Sequence, residues 1–339
     1  MKIPSRSVAE LGVVPTHLGF VGGAVPDDEG RLPRNAEGEI VAAAGMRDLA
    51  KDSVVRQDAV MLPMFFGTNE GDVAEMIDAM KALDLDVHLV LMVGGVDPMS
   101  PEDEDGVLAV LLEGLGTAKK HGVKHVSSTS VEEWMKPGAQ PRTGADLDAA
   151  VKQNIAVHAR AYREAGLAES CVESWSIEFL RPGEFQTFTS LARLQPVIKG
   201  LNDELGEPFF KILVDAAHCG DSDLNILENE ALIAELAASD HLGVFHCSAK
   251  TTRGCLTTDD GWIGALLTAA AKTGKLKHVF VEIFRHDDPA LAGLRELDSG
   301  HGVDTVGERG YHQATVDALK DVALRLNNLV VRGMLAPRA

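Results

Sequence analysis

Eight short β-like runs alternate with longer helical patterns along this chain. The β-like runs are rich in Val, Ile, Leu and Phe, which is typical of strands buried on both faces of a sheet. Eight β-then-α units in succession predict a parallel sheet, and eight such strands can close into a barrel. We therefore predict an α/β fold, a (β/α)8 TIM barrel formed by residues 1–339 as a single domain with long βα loops. The predicted strands are His17–Gly22, Ala59–Phe66, Asp86–Val93, Lys124–Thr129, Val172–Phe179, Phe210–Ala216, Leu242–Ser248 and His278–Phe284.

Helical periodicity fills the segments between these strands. In the second of them, Val73, Met76, Ile77 and Met80 recur at helical spacing after a Thr-Asn pair that can cap the helix. The alternative fold is a doubly wound open sheet, which often carries a Gly-rich phosphate loop after its first strand. The sequence Gly19-Phe-Val-Gly-Gly is too irregular for that fingerprint. The predicted helices are Glu39–Lys51, Asn69–Leu83, Gly106–His121, Ala145–Ala165, Ser190–Leu205, Asn225–Ala238, Gly261–Thr273 and Tyr311–Arg332.

Three stretches rich in Pro, Gly and charge interrupt the alternation, at Val25–Gly38, Trp134–Gly144 and Arg285–Gly310. Each follows a predicted strand, so each is expected at the carboxyl end of the barrel, where barrel enzymes build their active sites. The simpler interpretation is that these three stretches are ordinary surface loops. Their shared placement favours contact with a substrate or a lid over the site.

The charge balance argues against nucleic acid as a partner. With 51 acidic and 32 basic residues the net charge is −19, and such a surface repels phosphate backbones at long range. The four cysteines form no CxxC pair, the first residues lack the apolar run of a signal peptide, and no stretch is long and apolar enough to span a bilayer. We expect a cytoplasmic protein without a membrane partner.

Polar residues close the last four predicted strands: Glu178, Asp215, His246 and Glu282. Side chains alternate faces along a strand, so each of these shares a face with the residue two positions before it. If that face is the barrel interior, three carboxylates and one imidazole converge at the carboxyl end. Carboxylates that converge in a buried place repel one another unless a cation lies among them. The set therefore predicts one divalent metal ion; oxygen-rich ligands favour Mn²⁺, Mg²⁺ or Co²⁺, and Zn²⁺ stays open.

These residues resemble the metal ligands of sugar isomerases and epimerases with a xylose isomerase-like barrel, especially ketose 3-epimerases. In that family the ligands are Glu, Asp, His and Glu from the ends of strands five to eight. His218, Glu184 and Arg253 match family positions that contact substrate hydroxyls, with His218 three residues after Asp215. The specific resemblance runs from about Val172 to Phe284. Two places depart from the family pattern, Phe179-Leu180-Arg181 after the first glutamate and the loop Ala249–Arg253.

The resemblance implies proton abstraction next to a carbonyl group and an enediolate intermediate. Glu178 and Glu282 are the expected base and acid on a small carbohydrate-like substrate. A mild preference goes to an unphosphorylated sugar, because no phosphate-cradling Gly loop is evident. The family also implies a homo-oligomer.

Three other functions stay open at this point. A lyase acting on a keto-sugar derivative, by 3-keto glycoside cleavage such as C-glycoside deglycosidation or by keto-acid decarboxylation, would use the same metal site. A metal-dependent phosphodiesterase would need further histidines, for which His17, His88 and His125 lack clustered acidic partners. A non-catalytic barrel is the third.

Five residues outside the ligand set receive weaker assignments. Lys211 is predicted to form a buried ion pair, Trp175 to pack between barrel and helices, and His125 and Trp134 to line the pocket. Cys247 is predicted to point away from the metal.

Overall fold

The barrel predicted from the sequence is confirmed. The structure is a computed structural model, and it describes residues 2, 4–15, 23–249, 256, 259–283, 296 and 309–338. Eight parallel strands follow one another around a closed barrel, and the last pairs with the first. The strands are β1 Glu10–Val14, β2 Ala59–Phe65, β3 Asp86–Met92, β4 His125–Ser128, β5 Ser174–Glu178, β6 Phe210–Asp215, β7 Leu242–Cys247 and β8 His278–Glu282.

Helices surround the barrel and bury one face each against it. Their ends follow the capping signals of the sequence: Asn69 accepts hydrogen bonds from the backbone of Gly71 and Asp72 at the start of α2, and α3 ends at Gly122 with a φ of 69°. The described helices are α1 Val41–Asp52, α2 Glu70–Ala82, α3 Glu104–His121, α4 Ala145–Glu164, α5 Leu191–Leu205, α6 Ala216–Asp221, α7 Ile226–Ala238, α8 Trp262–Lys272 and α9 Tyr311–Val331. Among the described residues, none of the helices is both long enough and apolar enough to cross a membrane.

The predicted position of the first strand was wrong. β1 lies at Glu10–Val14, whereas the whole predicted segment, His17–Gly22, lies outside the described residues. The short run that forms β1 contains Gly12, which normally weakens a strand. Glycine is required here because an added Cβ would lie 2.6 Å from the Phe280 ring and 2.5 Å from the Ala59 carbonyl oxygen.

The inside of the barrel is filled in layers. Apolar side chains from alternate strand positions form a small buried cluster that is separate from the larger core under the helices. Because side chains alternate along a strand, the residues two positions before and after this cluster also face the interior. The interior therefore has polar side chains at both of its ends. The cluster consists of Val14, Ala59, Met61, Val90, Leu213, Val244 and Phe280.

The long loop after β1 is tied to α2. Arg34 of the predicted Val25–Gly38 loop places its guanidinium 2.6 Å from Asp72 and 2.7 Å from Glu75, and Asp72 also accepts the backbone N–H of Leu32. The loop is thus held beside the barrel rim. Of the predicted Arg285–Gly310 loop, only residues 296, 309 and 310 lie among the described ones.

Candidate active site at the carboxyl end of the barrel

Four polar side chains meet at the carboxyl ends of the last four strands. Glu178, Asp215, His246 and Glu282 each offer one ligand atom, and these atoms lie within 4.8 Å of one another. All four are buried, with exposed fractions between 0% for Asp215 and 8% for Glu282. The convergence follows from barrel geometry, because Glu178, Asp215 and Glu282 end their strands and His246 is the last residue but one of β7, all on the inward face.

His246 lies against the three carboxylates. Its Nδ1 is 3.4 Å from Glu282 Oε2, 3.8 Å from Glu178 Oε1 and 3.9 Å from Asp215 Oδ2. Within the described residues neither ring nitrogen of His246 makes a hydrogen bond, although the ring is buried. Two atoms bound to one ion at about 2.1 Å can be at most about 4.2 Å apart, so these separations fit a shared ion. The four residues thus form a buried group that could hold a divalent metal.

A short helix after β6 sets the position of a second histidine. Asp215 ends β6 and caps α6, because its Oδ1 accepts the backbone N–H of His218 at 2.8 Å. The imidazole of His218 then points to two glutamates, with Nδ1 3.3 Å from Glu178 Oε1 and Nε2 3.8 Å from Glu184 Oε2. Asp215 therefore belongs to the group of four converging residues and also positions His218.

Glu184 joins the loops that follow β4 and β5. Trp134 donates its indole N–H to Glu184 Oε1 at 3.3 Å, and the backbone N–H of Met135 donates to the Glu184 carbonyl at 2.8 Å. Glu184 is buried, with 7% of its surface exposed, and faces His218. Trp134, predicted as pocket lining, thus contacts a predicted substrate-binding residue.

A buried carboxylate fastens the same two loops. Glu132 is 2% exposed and accepts the backbone N–H groups of Gln186, Thr187 and Phe188 at 2.8, 2.8 and 3.0 Å. Burial raises the pKa of Glu132, while the three backbone donors act in the opposite direction. This residue did not emerge from the sequence, because its partners are backbone groups more than fifty positions away.

Replacing Glu132 by alanine is expected to lower the free energy of unfolding by about 3 kcal/mol, since three backbone donors lose their acceptor. Urea denaturation of the variant and of the parent protein would measure this. The adjacent Glu133→Ala is the matched control, because Glu133 forms only a partly exposed ion pair with Lys136 at 3.1 Å. Its loss should change stability by less than about 1 kcal/mol. Equal effects of the two substitutions would contradict the anchoring role.

Arg181 lies within the segment that departs from the family pattern and pairs with α6. Its guanidinium lies 3.5 Å from the Asp221 carboxylate at the end of α6, and its side chain is 8% exposed. The Phe179 ring packs 6.0 Å from the His218 ring. The departure therefore joins the loop after β5 to the helix that carries His218.

Comparison with known proteins identifies the fold but no close relative. No protein-family model and no curated protein matches the chain. Among solved structures it is similar to an L-ribulose 3-epimerase, with a TM-score of 0.72, 14% identity and coverage of 96% of this chain and 97% of that one. It is also similar to a D-allulose 3-epimerase from Methylomonas sp., with a TM-score of 0.70, 16% identity and coverage of 96% of this chain and 99% of that one. A third similar structure is a D-psicose 3-epimerase from Clostridium cellulolyticum H10, with a TM-score of 0.65, 13% identity and coverage of 94% of this chain and 99% of that one.

This chain has the xylose isomerase-like barrel fold. Several weaker assignments within the barrel are confirmed. Lys211 forms the predicted ion pair, with Asp240 at 2.9 Å, although the pair is only partly buried because the Asp240 side chain is 47% exposed. Burial lowers the pKa of Lys211. Trp175 is fully buried, donates to Ser128 Oγ at 2.8 Å and packs 5.1 Å from the Phe210 ring. Cys247 belongs to the core under the helices, and burial raises the pKa of its thiol.

One residue of the sequence prediction lies away from the site, and a second lies outside the described residues. His125 was predicted to line the pocket, and this was wrong because it begins β4 and therefore lies at the opposite end of the barrel. Arg253, predicted to contact the substrate, lies outside the described residues. His218 and Glu184 stand beside the four converging residues, and their role in binding substrate stays a prediction.

Proposed function

We propose that this protein is a divalent-metal-dependent epimerase or isomerase of a small ketose-like sugar. The observation that carries the proposal is the convergence of Glu178, Asp215, His246 and Glu282 from four consecutive strands. The solved structures of similar shape support the same class, because they are named for 3-epimerases of L-ribulose, D-allulose and D-psicose. Mn²⁺ is the favoured ion, since the ligand set is three carboxylates and one imidazole.

Glu178 and Glu282 would hold the ion through one oxygen each and move protons through the other. A bound divalent ion would supply Lewis acidity that stabilises negative charge on the substrate oxygens. The two glutamates come from β5 and β8, with β6 and β7 between them, so they approach the reacting carbon from different directions. One takes the proton from the carbon next to the carbonyl group, and the other returns a proton to the opposite face. That exchange inverts the carbon.

His218 and Glu184 would position substrate hydroxyl groups. Both are buried and their polar atoms face each other across 3.8 Å beside Glu178. A hydroxyl group can donate to Glu184 and accept from His218, which fixes the sugar against the base. Return of the proton to the adjacent carbon would give an isomer instead, and the same residues serve both outcomes.

The alternatives from the sequence gain no comparable support. The neighbours of similar shape are named as epimerases, which does not favour a lyase. A phosphodiesterase would need further histidines near the carboxylates, but His88 and His125 lie at the other end of the barrel.

Removal of the metal is expected to abolish catalysis. After treatment with EDTA and desalting, conversion of ketohexoses and ketopentoses in D₂O should fall below detection by ¹H NMR, and Mn²⁺ should restore it. Deuterium at the carbon next to the carbonyl, together with the epimeric sugar, is the expected product signature. An untreated sample carried through the same desalting is the control. Full conversion by protein that elemental analysis shows to be metal-free would refute the proposal.

A further inference from the structure

Three histidines meet at the amino end of the barrel, opposite the candidate active site. His88 lies near the start of β3, while His125 and His278 begin β4 and β8. Their ring centroids are 4.5, 4.8 and 4.9 Å apart, and each ring offers a nitrogen within 4.8 Å of the others. Strand alternation places all three on the inward face, below Val90 and Phe280.

Two of the rings are oriented by hydrogen bonds at Nδ1. His278 Nδ1 is 2.9 Å from Glu10 Oε2, and His125 Nδ1 is 2.9 Å from Ser174 Oγ. Both partners lie on neighbouring strands directly opposite the histidine. Histidines that bind metal usually have this pattern, with one nitrogen on the ion and the other held by a carboxylate or hydroxyl group. The geometry leaves Nε2 of both rings for a ligand.

The third ring is buried without a hydrogen bond. His88 is 1% exposed, and within the described residues neither of its nitrogens has a hydrogen-bond partner. Its Nε2 lies 3.7 Å from Glu10 Oε2, which is too long for a hydrogen bond. A buried imidazole that forms no hydrogen bond is unfavourable, and a bound cation would satisfy it.

The charge states at this end suit ligation. Burial lowers the pKa of His88 to about 4 and that of His125 to about 3, so these rings are neutral near pH 7. Burial acts to raise the pKa of Glu10, but the hydrogen bond with His278 and the proximity of the His88 ring outweigh it and hold that pKa well below its ordinary range. A carboxylate behind neutral imidazoles is the arrangement found around many zinc ions.

We propose that His88, His125 and His278 bind a second divalent metal ion, with zinc as the preferred ion. Three imidazole nitrogens suit zinc, whereas the oxygen-rich set at the carboxyl end suits harder ions. A cleft of about 280 Å³ opens beside the rings and can admit water as a fourth ligand. Its polar lining consists of Glu10, Lys81, Asp86, His88, Lys124, His125 and Glu173.

The two metal sites are separate. The Phe280 ring lies between them, 5.0 Å from the His88 ring and 6.3 Å from the His246 ring. No residue is shared, so each site can be removed alone. A zinc ion held by β3, β4 and β8 would also link strands that are distant in sequence, and it should therefore raise the thermal stability of the barrel.

The test measures zinc in an Asp215→Ala/His246→Ala background, which leaves only two of the four ligands at the carboxyl end and makes the result independent of the proposed function. After equilibration with Zn²⁺ and gel filtration, elemental analysis should find one zinc per chain. Adding His125→Gln and His278→Gln should abolish this zinc, with the affinity at least 100-fold weaker by competition with a chromophoric chelator. His241→Gln, before β7 at the same end but outside the cluster, is the matched control and should retain it.

A second variant covers the case in which the double substitution does not fold. Ser174→Ala leaves all three rings in place and removes only the hydroxyl group that orients His125, so it should weaken zinc binding by about 10-fold. Circular dichroism verifies the fold of each variant. Three results would overturn the proposal: zinc bound with unchanged affinity by a folded His125→Gln/His278→Gln variant, zinc bound with unchanged affinity by a folded Ser174→Ala variant, or no zinc in the Asp215→Ala/His246→Ala protein.

Discussion

Replacing Glu282 by glutamine should abolish exchange of solvent deuterium into the substrate carbon next to the carbonyl, while the fold stays intact. Glutamine keeps the shape and one oxygen that can bind the ion, but it cannot accept the proton. We expect the turnover number to fall about 10³-fold, within the range for loss of a general acid or base. Mass spectrometry of sugar recovered from D₂O measures the exchange.

Two further variants separate this effect from general damage. Glu173→Gln lies at the opposite end of the barrel, in a surface ion pair with Lys124, and should leave exchange unchanged. Elemental analysis of Glu282→Gln distinguishes a lost base from a lost ligand. Full exchange in a metal-loaded Glu282→Gln protein would remove Glu282 from the mechanism.

Asp215→Asn should weaken binding of the active-site metal by at least about 10²-fold. Loss of an outer partner of a metal ligand already costs 10- to 100-fold in affinity, and this substitution removes the charge of a ligand itself. The asparagine oxygen can still accept the N–H of His218, so α6 should keep its cap. Calorimetric titration with Mn²⁺ measures the affinity.

The contrast with Asp223→Asn makes the result specific. Asp223 is an exposed carboxylate just beyond α6, so its loss changes local charge by the same amount. Metal affinity should change less than about twofold there, because solvent screens an exposed charge. Equal weakening in both variants would mean that net charge, rather than ligation, governs binding.

Strands β2 to β8 could be predicted within two residues at each end, because strands buried on both faces appear as compact apolar runs. β3, for example, was predicted at Asp86–Val93 and lies at Asp86–Met92. The position of β1 could not be predicted, because Glu10 and Gly12 interrupt the apolar run of this strand. The reason for Gly12 is the Phe280 ring, which lies on a strand far along the chain.

The four converging residues were predictable because strand alternation and strand ends are local properties of the sequence. The loop contacts were not. Glu132 bonds to backbone groups, and Arg181 pairs with Asp221 on a helix that the sequence did not predict. Such partners depend on how separate loops meet.

Strand alternation in the sequence also predicts the position of the histidine cluster. His88 and His278 each stand two positions before an inward apolar residue, Val90 and Phe280. The alternation that places Glu282 inside the barrel therefore places these histidines inside too, at the other end. The same argument applies to His125, which begins β4 and therefore lies at the amino end of the barrel and not in the pocket.

The pairing of β1 with β8 determines when the barrel can close during synthesis of the chain. Glu10 bonds to His278, a residue 268 positions later, so the seam forms only after most of the polypeptide has left the ribosome. Until then the edge of β1 that faces β8 is unpaired and could associate with other nascent chains. The inward carboxylate of Glu10 discourages such association, because it would be buried without its histidine.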